Sequence, residues 1–299
     1  MIKVALKIAG IVLAALGLVV VLMALRSHVL AAAQFGPYGT DERVYARPLL
    51  DAVPDNSLLL VDRQYLQADI LIPLMQGGHE RHWMTRLKSK TKYRVIKRLG
   101  AGDELVELQV SREARKKHPD LPKTYVARAV RFQRKGYRPT MLLTSLVAPK
   151  AYPASELRLL YHERWELELG FGEIKTDMLE RLETIRSKSP SAVEQEVWGL
   201  LTAYNLVRLE MERIAKELNV APTRISFVAA LRFFVEQWLW AASTASPGAI
   251  PQRLATMRDR LRLFLLPERR SDRVFPRAVK IKMSNYPRKL PTSSKKPAN

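Results

Sequence analysis

With 299 residues, 47% of them apolar and 26% charged, the chain can bury a sizeable core and falls outside the class that stays disordered throughout. Fifty Lys and Arg against 29 Asp and Glu leave a net charge of +21, which points to a polyanionic partner, nucleic acid ahead of an anionic membrane surface. The absence of cysteine removes disulfides, thiolate metal sites and cysteine nucleophiles, and agrees with a reducing cytoplasm.

In chain order, the first feature is the run "IAGIVLAALGLVVVLMAL" from Ile8 to Leu25, 18 residues without a charge, preceded by Lys3 and Lys7 and followed by Arg26. Its length reaches the range of a transmembrane helix or an uncleaved signal anchor. The β-branched stretch "LVVVLMAL" equally suits a strand buried on both faces of a parallel sheet. The first reading makes the chain a single-pass inner-membrane protein, anchored through residues 8–25 with a basic cytoplasmic domain. The second makes it cytoplasmic and nucleoid-associated.

"RSHVLAAAQFGPYGT" then reads as a strand and a turn, and "TDERVYARPLLDAV" as a short helix capped by Thr40 and bent or shortened at Pro48. In "NSLLLVDRQYL" an apolar strand, Leu58 to Val61, ends at Asp62. "YLQADILIPLMQGG" is a helix closed by Gly77 and Gly78, and "RHWMTRLK" is a further strand. Strand, helix, strand, helix, strand implies an α/β layer with partly parallel strands. Alternating Val, Tyr, Thr and Leu, with turns at Gly100 to Asp103 and Lys135 to Pro139, mark a β-rich insertion. From Pro153 almost to Leu266 the pattern is helical. Pro276 to Asn299 hold seven Lys or Arg, four prolines and no acid, a disordered tail suited to lying along a polyanion.

Arg86, Lys88, Lys90, Lys92 and Arg94 put a cation at every second position. On one strand that period turns all five to one face, suited to phosphate contact, with protection of an edge strand as the plainer explanation. Trp238 and Trp240 sit in an apolar helical setting that favours packing over base stacking. The five histidines show no ligand spacing with nearby acids, so no zinc site is expected, and there is no Gly-rich phosphate loop.

"YHERWELELGFGEIK", Tyr161 to Lys175, carries the densest chemistry. On a helical wheel Tyr161, Arg164, Glu168 and Lys175 fall in one stripe about 60° wide. Leu160, Leu167, Phe171, Ile174 and Met178 form an apolar seam beside it, and Glu163, Glu166, Glu173 and Asp177 occupy the expected solvent arc. Gly170 and Gly172 each cost a helix interior about 1 kcal/mol relative to Ala, which implies close approach of another backbone or a ligand.

The spacing Y-(2)-R-(3)-E-(6)-K resembles the YREK signature of the bacterial insertion-sequence transposases of family four, and "LLLVDR" at Leu58 to Arg63 resembles that family's segment around its second catalytic Asp. The resemblance covers roughly Leu22 to Leu290. It implies an α/β fold with a ribonuclease-H-like core, a β-rich insertion and a helical C-terminal part. It also implies two-metal phosphodiester cleavage and strand transfer at insertion-sequence ends, with Mg²⁺ or Mn²⁺ as cofactor. Carried onto this chain, Asp62 and Glu168 are the catalytic and metal-binding carboxylates, and Tyr161, Arg164 and Lys175 hold DNA phosphates, joined by the basic run from Arg86 to Arg94. DNA is the implied partner, with a homodimer or an intact transposase as protein partners.

One departure stands out. The family's first Asp lies on the first core strand, many tens of residues before the second, and only 61 residues precede Asp62. Asp41, Asp51 and Asp55 do not follow a first-strand pattern. The expectation is an N-terminally truncated frame whose first strand is missing or replaced and whose catalysis is impaired. The implied segments are 1–21 (apolar, foreign to the family), 22–86 (first part of the core), 87–148 (insertion), 149–270 (helices with the Glu helix) and 271–299 (basic tail). The alternatives are a non-catalytic DNA-binding remnant that inhibits intact transposase, and the membrane protein described above.

Overall fold

The structure is a computed structural model that describes residues 4–14, 17–88, 91–133, 139–179, 185–244 and 246–267. The basic tail and Lys90 lie outside the described residues, as does most of the expected turn at Lys135 to Pro139. The apolar run is not one element. It is divided between β1 (Val4–Ala14) and β2 (Gly17–Ala24), which pair antiparallel from Leu6↔Ala24 to Ala14↔Gly17. The membrane-helix reading is thereby corrected: among the described residues no helix is long and apolar enough to cross a membrane. The β-branched content of the run wins locally, because valines that crowd a helix turn pack well on a pleated surface.

β3 (Leu30–Pro37) pairs antiparallel with β2, while β4 (Ser57–Val61) lies parallel to β1, and β5 (Arg81–Arg86) parallel to β4. The order 3-2-1-4-5, antiparallel then parallel, is the ribonuclease-H-like core, and β1 stands where that core has its first strand. Two helices make the parallel crossovers possible. α1 (Glu42–Leu49) is capped by Asp41, which accepts from Arg43 N, rather than by Thr40, and it ends one residue past Pro48. α2 (Ala68–Gln76) stops at Gly77.

β2 explains how a strand without one polar residue is used. Its even positions Leu18, Val20 and Leu22 pack with Leu49, Leu59, Val61, Tyr65 and Leu71, on the α1 and α2 side. Its odd positions Val19, Val21 and Met23 pack with Leu58, Leu60 and the C-terminal helices. Burial on both faces gives the near-continuous apolar run.

The insertion extends the same sheet. β6 (Tyr93–Gly100), β7 (Asp103–Gln109), β8 (Thr124–Phe132) and β9 (Thr140–Thr144) add on through the antiparallel β5–β9 pair, making nine strands in the order 3-2-1-4-5-9-8-7-6. The short helix α3 (Arg112–Lys117) follows β7. Arg128 of β8 is buried and holds Asp103 through two bonds of 2.6 and 2.7 Å, and it donates to Tyr152 O at 2.6 Å. That pair locks the β7–β8 register to the start of the helical part. There α4 (Ala154–His162), α5 (Trp165–Gly172), α6 (Pro190–Glu217), α7 (Phe227–Thr244) and α8 (Ile250–Arg260) cover the odd-numbered face of β2. Trp238 is partly buried and stacks on Phe234 at 5.4 Å, whereas Trp240, about half a turn away, is exposed under Arg253.

Candidate nucleic-acid site

Asp62 leaves β4 at its carboxyl end, where open α/β sheets present ligand-facing residues. It is exposed, and its carboxylate accepts from Arg63 N at 2.6 Å, capping the single turn Arg63–Tyr65. Arg63, Gln64 and Lys88 line a shallow cleft of about 400 Å³ with it. Burial pushes the Lys88 ammonium below its ordinary value, and the nearby Arg43 charge adds to this.

Tyr161 lies within electrostatic reach of Asp62 and Arg63. Its ring is buried against Phe132, 5.8 Å between centroids, so it belongs to the core as well as to the polar stripe. Burial raises the phenol above its usual range. The charges of Arg164, Arg86 and Arg63 pull it down and that of Asp62 pushes it up. Four predicted or adjacent charges from three elements therefore act on one hydroxyl. Glu168 joins through Arg164, whose Nη1 donates to it at 3.1 Å; the carboxylate itself is exposed.

The segment that carries the signature is not one α-helix. α4 ends at His162. Glu163 and Arg164 form a tight turn, with Arg164 N bonding Tyr161 O, before α5 begins. After Gly172 the chain widens into a π-turn, Glu173–Met178, closed by Leu179 N to Ile174 O. The apolar seam is as read from the wheel, with Leu167 and Ile174 fully buried and Leu160, Phe171 and Met178 packed against them. The polar phases are not, because π-turns advance less per residue than α-turns. Lys175, inside the π-turn, is half-buried and out of the α-helical phase of Glu168.

The expected solvent arc is corrected in the same way. Glu163 pairs with Arg26 at 3.2 Å, and Glu166 and Glu173 turn onto His28. His28 sits in the β2–β3 turn with φ +61°, 2% exposed. Arg208 of α6 places Nη2 2.8 Å from His28 Nδ1. The other ring nitrogen, Nε2, lies 3.1 Å from Glu166, and Nδ1 also lies 3.3 Å from Glu173. Glu173 is bound by Arg208 and accepts from the Tyr204 hydroxyl at 2.9 Å. Burial pushes the Glu173 carboxyl up, but the His28 hydrogen bond and the Arg208 charge outweigh it and hold the group below the usual range. Arg208 also lies over the Phe227 ring at 4.9 Å, while its Nε and Nη1 have no hydrogen-bond partner among the described residues. Sequence reasoning passed over this cluster. Its members lie up to 180 residues apart, and the one available signal was a carboxylate beside two helix-breaking glycines. Of those, Gly170 is the close approach: a Cβ there would meet Met23 Sδ at 2.8 Å and the Tyr204 hydroxyl at 3.3 Å. Gly172 has nothing within 4 Å.

The basic run does not lie on one strand. Arg86 ends β5, Lys88 and Lys92 lie in the connection, and Arg94 belongs to β6, where it pairs with Glu107 at 3.0 Å. Lys88 borders the Asp62 cleft. Lys92 lines a separate groove of about 560 Å³ with Arg43, Arg47 and Lys117. Alternation alone could not reveal that the strand ends at Arg86.

The match to known proteins decides the family. Residues 17–206 match the family described as Transposase DDE domain. The chain belongs to that family. It is similar to "Transposase InsG for insertion sequence element IS4" of Escherichia coli (strain K12), 41% identical over 275 residues, which are 92% of this chain and 61% of that protein. The chain thus spans 61% of the length of the relative it matches. Among solved structures, it is similar to a piggyBac transposase synaptic complex with hairpin DNA, with a TM-score of 0.47 and 10% identity over 91% of this chain and 59% of that one.

The family implies divalent metal held by carboxylates, and the donor set here does not fit a metal pair. β1, hydrogen-bonded beside the strand that ends at Asp62, reads "VALKIAGIVLA" and contains no acid. Asp41 caps α1, Asp51 lies in the turn Leu50–Ala52, and Asp55 accepts from His79 N and Arg81 at 3.0 and 3.1 Å. Among the described residues no group of three or more His, Asp or Glu could hold a metal ion.

Proposed function

We propose that this chain is a transposase-related protein that binds DNA through the Asp62–Tyr161–Arg164 edge and has weak or no strand-cleaving activity of its own. The observation that carries the reading is the Tyr161 hydroxyl, acted on at once by Asp62, Arg63, Arg86 and Arg164. What supports the reading is that the end of β4 and the start of the signature segment lie within electrostatic reach of each other. Three of those four neighbours are cations, and Lys88 adds a fourth at the rim. An array of this kind suits a phosphodiester backbone, since Arg grips phosphate with two parallel donors and Lys adds a point charge. The DNA is of the insertion-sequence-end class, as the family resemblance implies, and the compartment is the cytoplasm, where such DNA lies. Impaired cleavage follows from the donor set: Asp62 and Glu168 are two carboxylates where a metal pair takes three.

The test is binding and cleavage of duplex DNA by the purified full chain. Affinity should fall steeply with salt, by roughly 0.9 in log–log slope for each phosphate neutralised. Arg164→Ala and Arg86→Ala should each lower that slope. Added Mn²⁺ or Mg²⁺ should yield no strand cleavage above background. Cleavage that is lost in Glu168→Gln overturns the impaired reading, and salt-independent binding overturns the phosphate reading.

A further inference from the structure

We propose that Glu173 is a positioning residue: fastened beneath the signature segment by Arg208, Tyr204 and His28, it sets the π-turn and thereby the direction in which Lys175 meets DNA. The inference rests on the DNA-binding reading above and deepens it.

Had α5 continued as an α-helix, Lys175, seven residues beyond Glu168, would return to within about 20° of the same face. The π-turn starts at Glu173, two residues before Lys175, and rotates Lys175 out of that phase. A π-turn is the less stable local choice and needs a tertiary reason. Glu173 supplies one. It is the first residue of the turn, and its carboxylate is held from two sides of the molecule: by α6 through Arg208 and Tyr204, and by the β2–β3 turn through His28 at 3.3 Å. Glu173 itself keeps the α-helical phase, its N–H bonding the Leu169 and Gly170 carbonyls, so the pinned carboxylate fixes the segment at the residue where the widening starts, and its loss would leave Arg208, 1% exposed, without its counter-charge. The anchor itself is rigid. His28 is fixed by a left-handed backbone and by Glu166, Asn205 ties α6 to Leu30 through two bonds of 2.9 Å, and Gly170 lets α5 settle onto Met23 and Tyr204. Glu173 does not line the Asp62 cleft. Its effect passes through Lys175.

The experiment is a double-mutant cycle in DNA affinity and salt slope, using the full chain and a fluorescently labelled duplex. Lys175→Ala sets the reference, with an expected loss of roughly tenfold, the weight of one charge-assisted contact, and a slope smaller by about 0.9. Glu173→Gln should give a similar loss and slope change, and Glu173→Gln with Lys175→Ala should lose no more than Lys175→Ala alone. Additive losses, or wild-type binding by Glu173→Gln while Lys175→Ala weakens it, overturn the positioning role. If Lys175→Ala itself changes nothing, the failure lies in the DNA-binding reading of this segment. Should Glu173→Gln not fold, Tyr204→Phe, which removes a single hydrogen bond to Glu173, takes its place. It should lose affinity alone and lose none further on the Lys175→Ala background, and an unchanged affinity in Tyr204→Phe overturns the proposal.

Discussion

Two polar clusters lie within a few residues of each other on the 161–178 segment, and they are built in opposite ways. Around Glu173 the partners are enclosed: His28 and Arg208 are 2% and 1% exposed, and the carboxylate has three partners. Arg164 and Glu168 form a more open pair, 18% and 44% exposed and joined by one i,i+4 bond, and Arg86 and Arg63 act electrostatically on the same Tyr161 hydroxyl as Arg164. Coulomb energy is strong where water is excluded and weak where it is not. The enclosed cluster therefore carries stability and geometry, while on the proposed reading the more open pair leaves its cation to an incoming anion.

Breaking the enclosed side should have the largest effect. Arg208→Met leaves Glu173 buried without its counter-charge and should cost about 3–5 kcal/mol in chemical denaturation. A cost below about 1 kcal/mol would make the two clusters energetically alike. Overfilling the contact under α5 comes next. Gly170→Leu drives side-chain atoms into Met23 and Tyr204 and should cost about 1–3 kcal/mol.

Acid sharpens the same contrast. Glu173 is depressed in the folded state, so its contribution is present above the ordinary carboxylate range and is lost as pH falls through its lowered folded value. Glu173→Gln should be less stable than the parent near neutral pH, and the difference should narrow below about pH 4. A constant difference across that range would place the loss in packing rather than charge. At neutral pH, Gly172→Ala, with open space at the Cβ, should stabilise the helix by up to about 1 kcal/mol in thermal melts. Smallest of all, Arg164→Ala should shift stability by only about 0.5 kcal/mol, because its partner is exposed, while it weakens DNA binding.

How much of this was legible in the residues depends on range. β4 running into Asp62, α2 ending at Gly77, the apolar seam of Leu167 and Ile174, and the lack of an acid before Asp62 on a first strand are local patterns. Helical and strand periods expose them directly. The YREK spacing was legible as a motif but not as a shape: the tight turn at Glu163 and Arg164 and the π-turn at Glu173 both depend on partners far along the chain. Glu173 and Glu163 read as solvent-facing because a wheel assumes an unbroken α-helix with water on its polar side, and here the β2–β3 turn and α6 occupy that side.

By itself, then, the sequence determined a basic α/β protein, a signature with fixed spacing, and the lack of an acid in a first-strand pattern before Asp62. Each is a property of neighbouring residues and their periods. Only the tertiary structure decided that the apolar run folds back on itself as β1 and β2, that the basic run is divided at Arg86, and that His28, Glu173 and Arg208 meet beneath the signature. Those outcomes turn on which distant side chain satisfies a buried charge or covers an apolar face, and composition within any one window does not specify the partner.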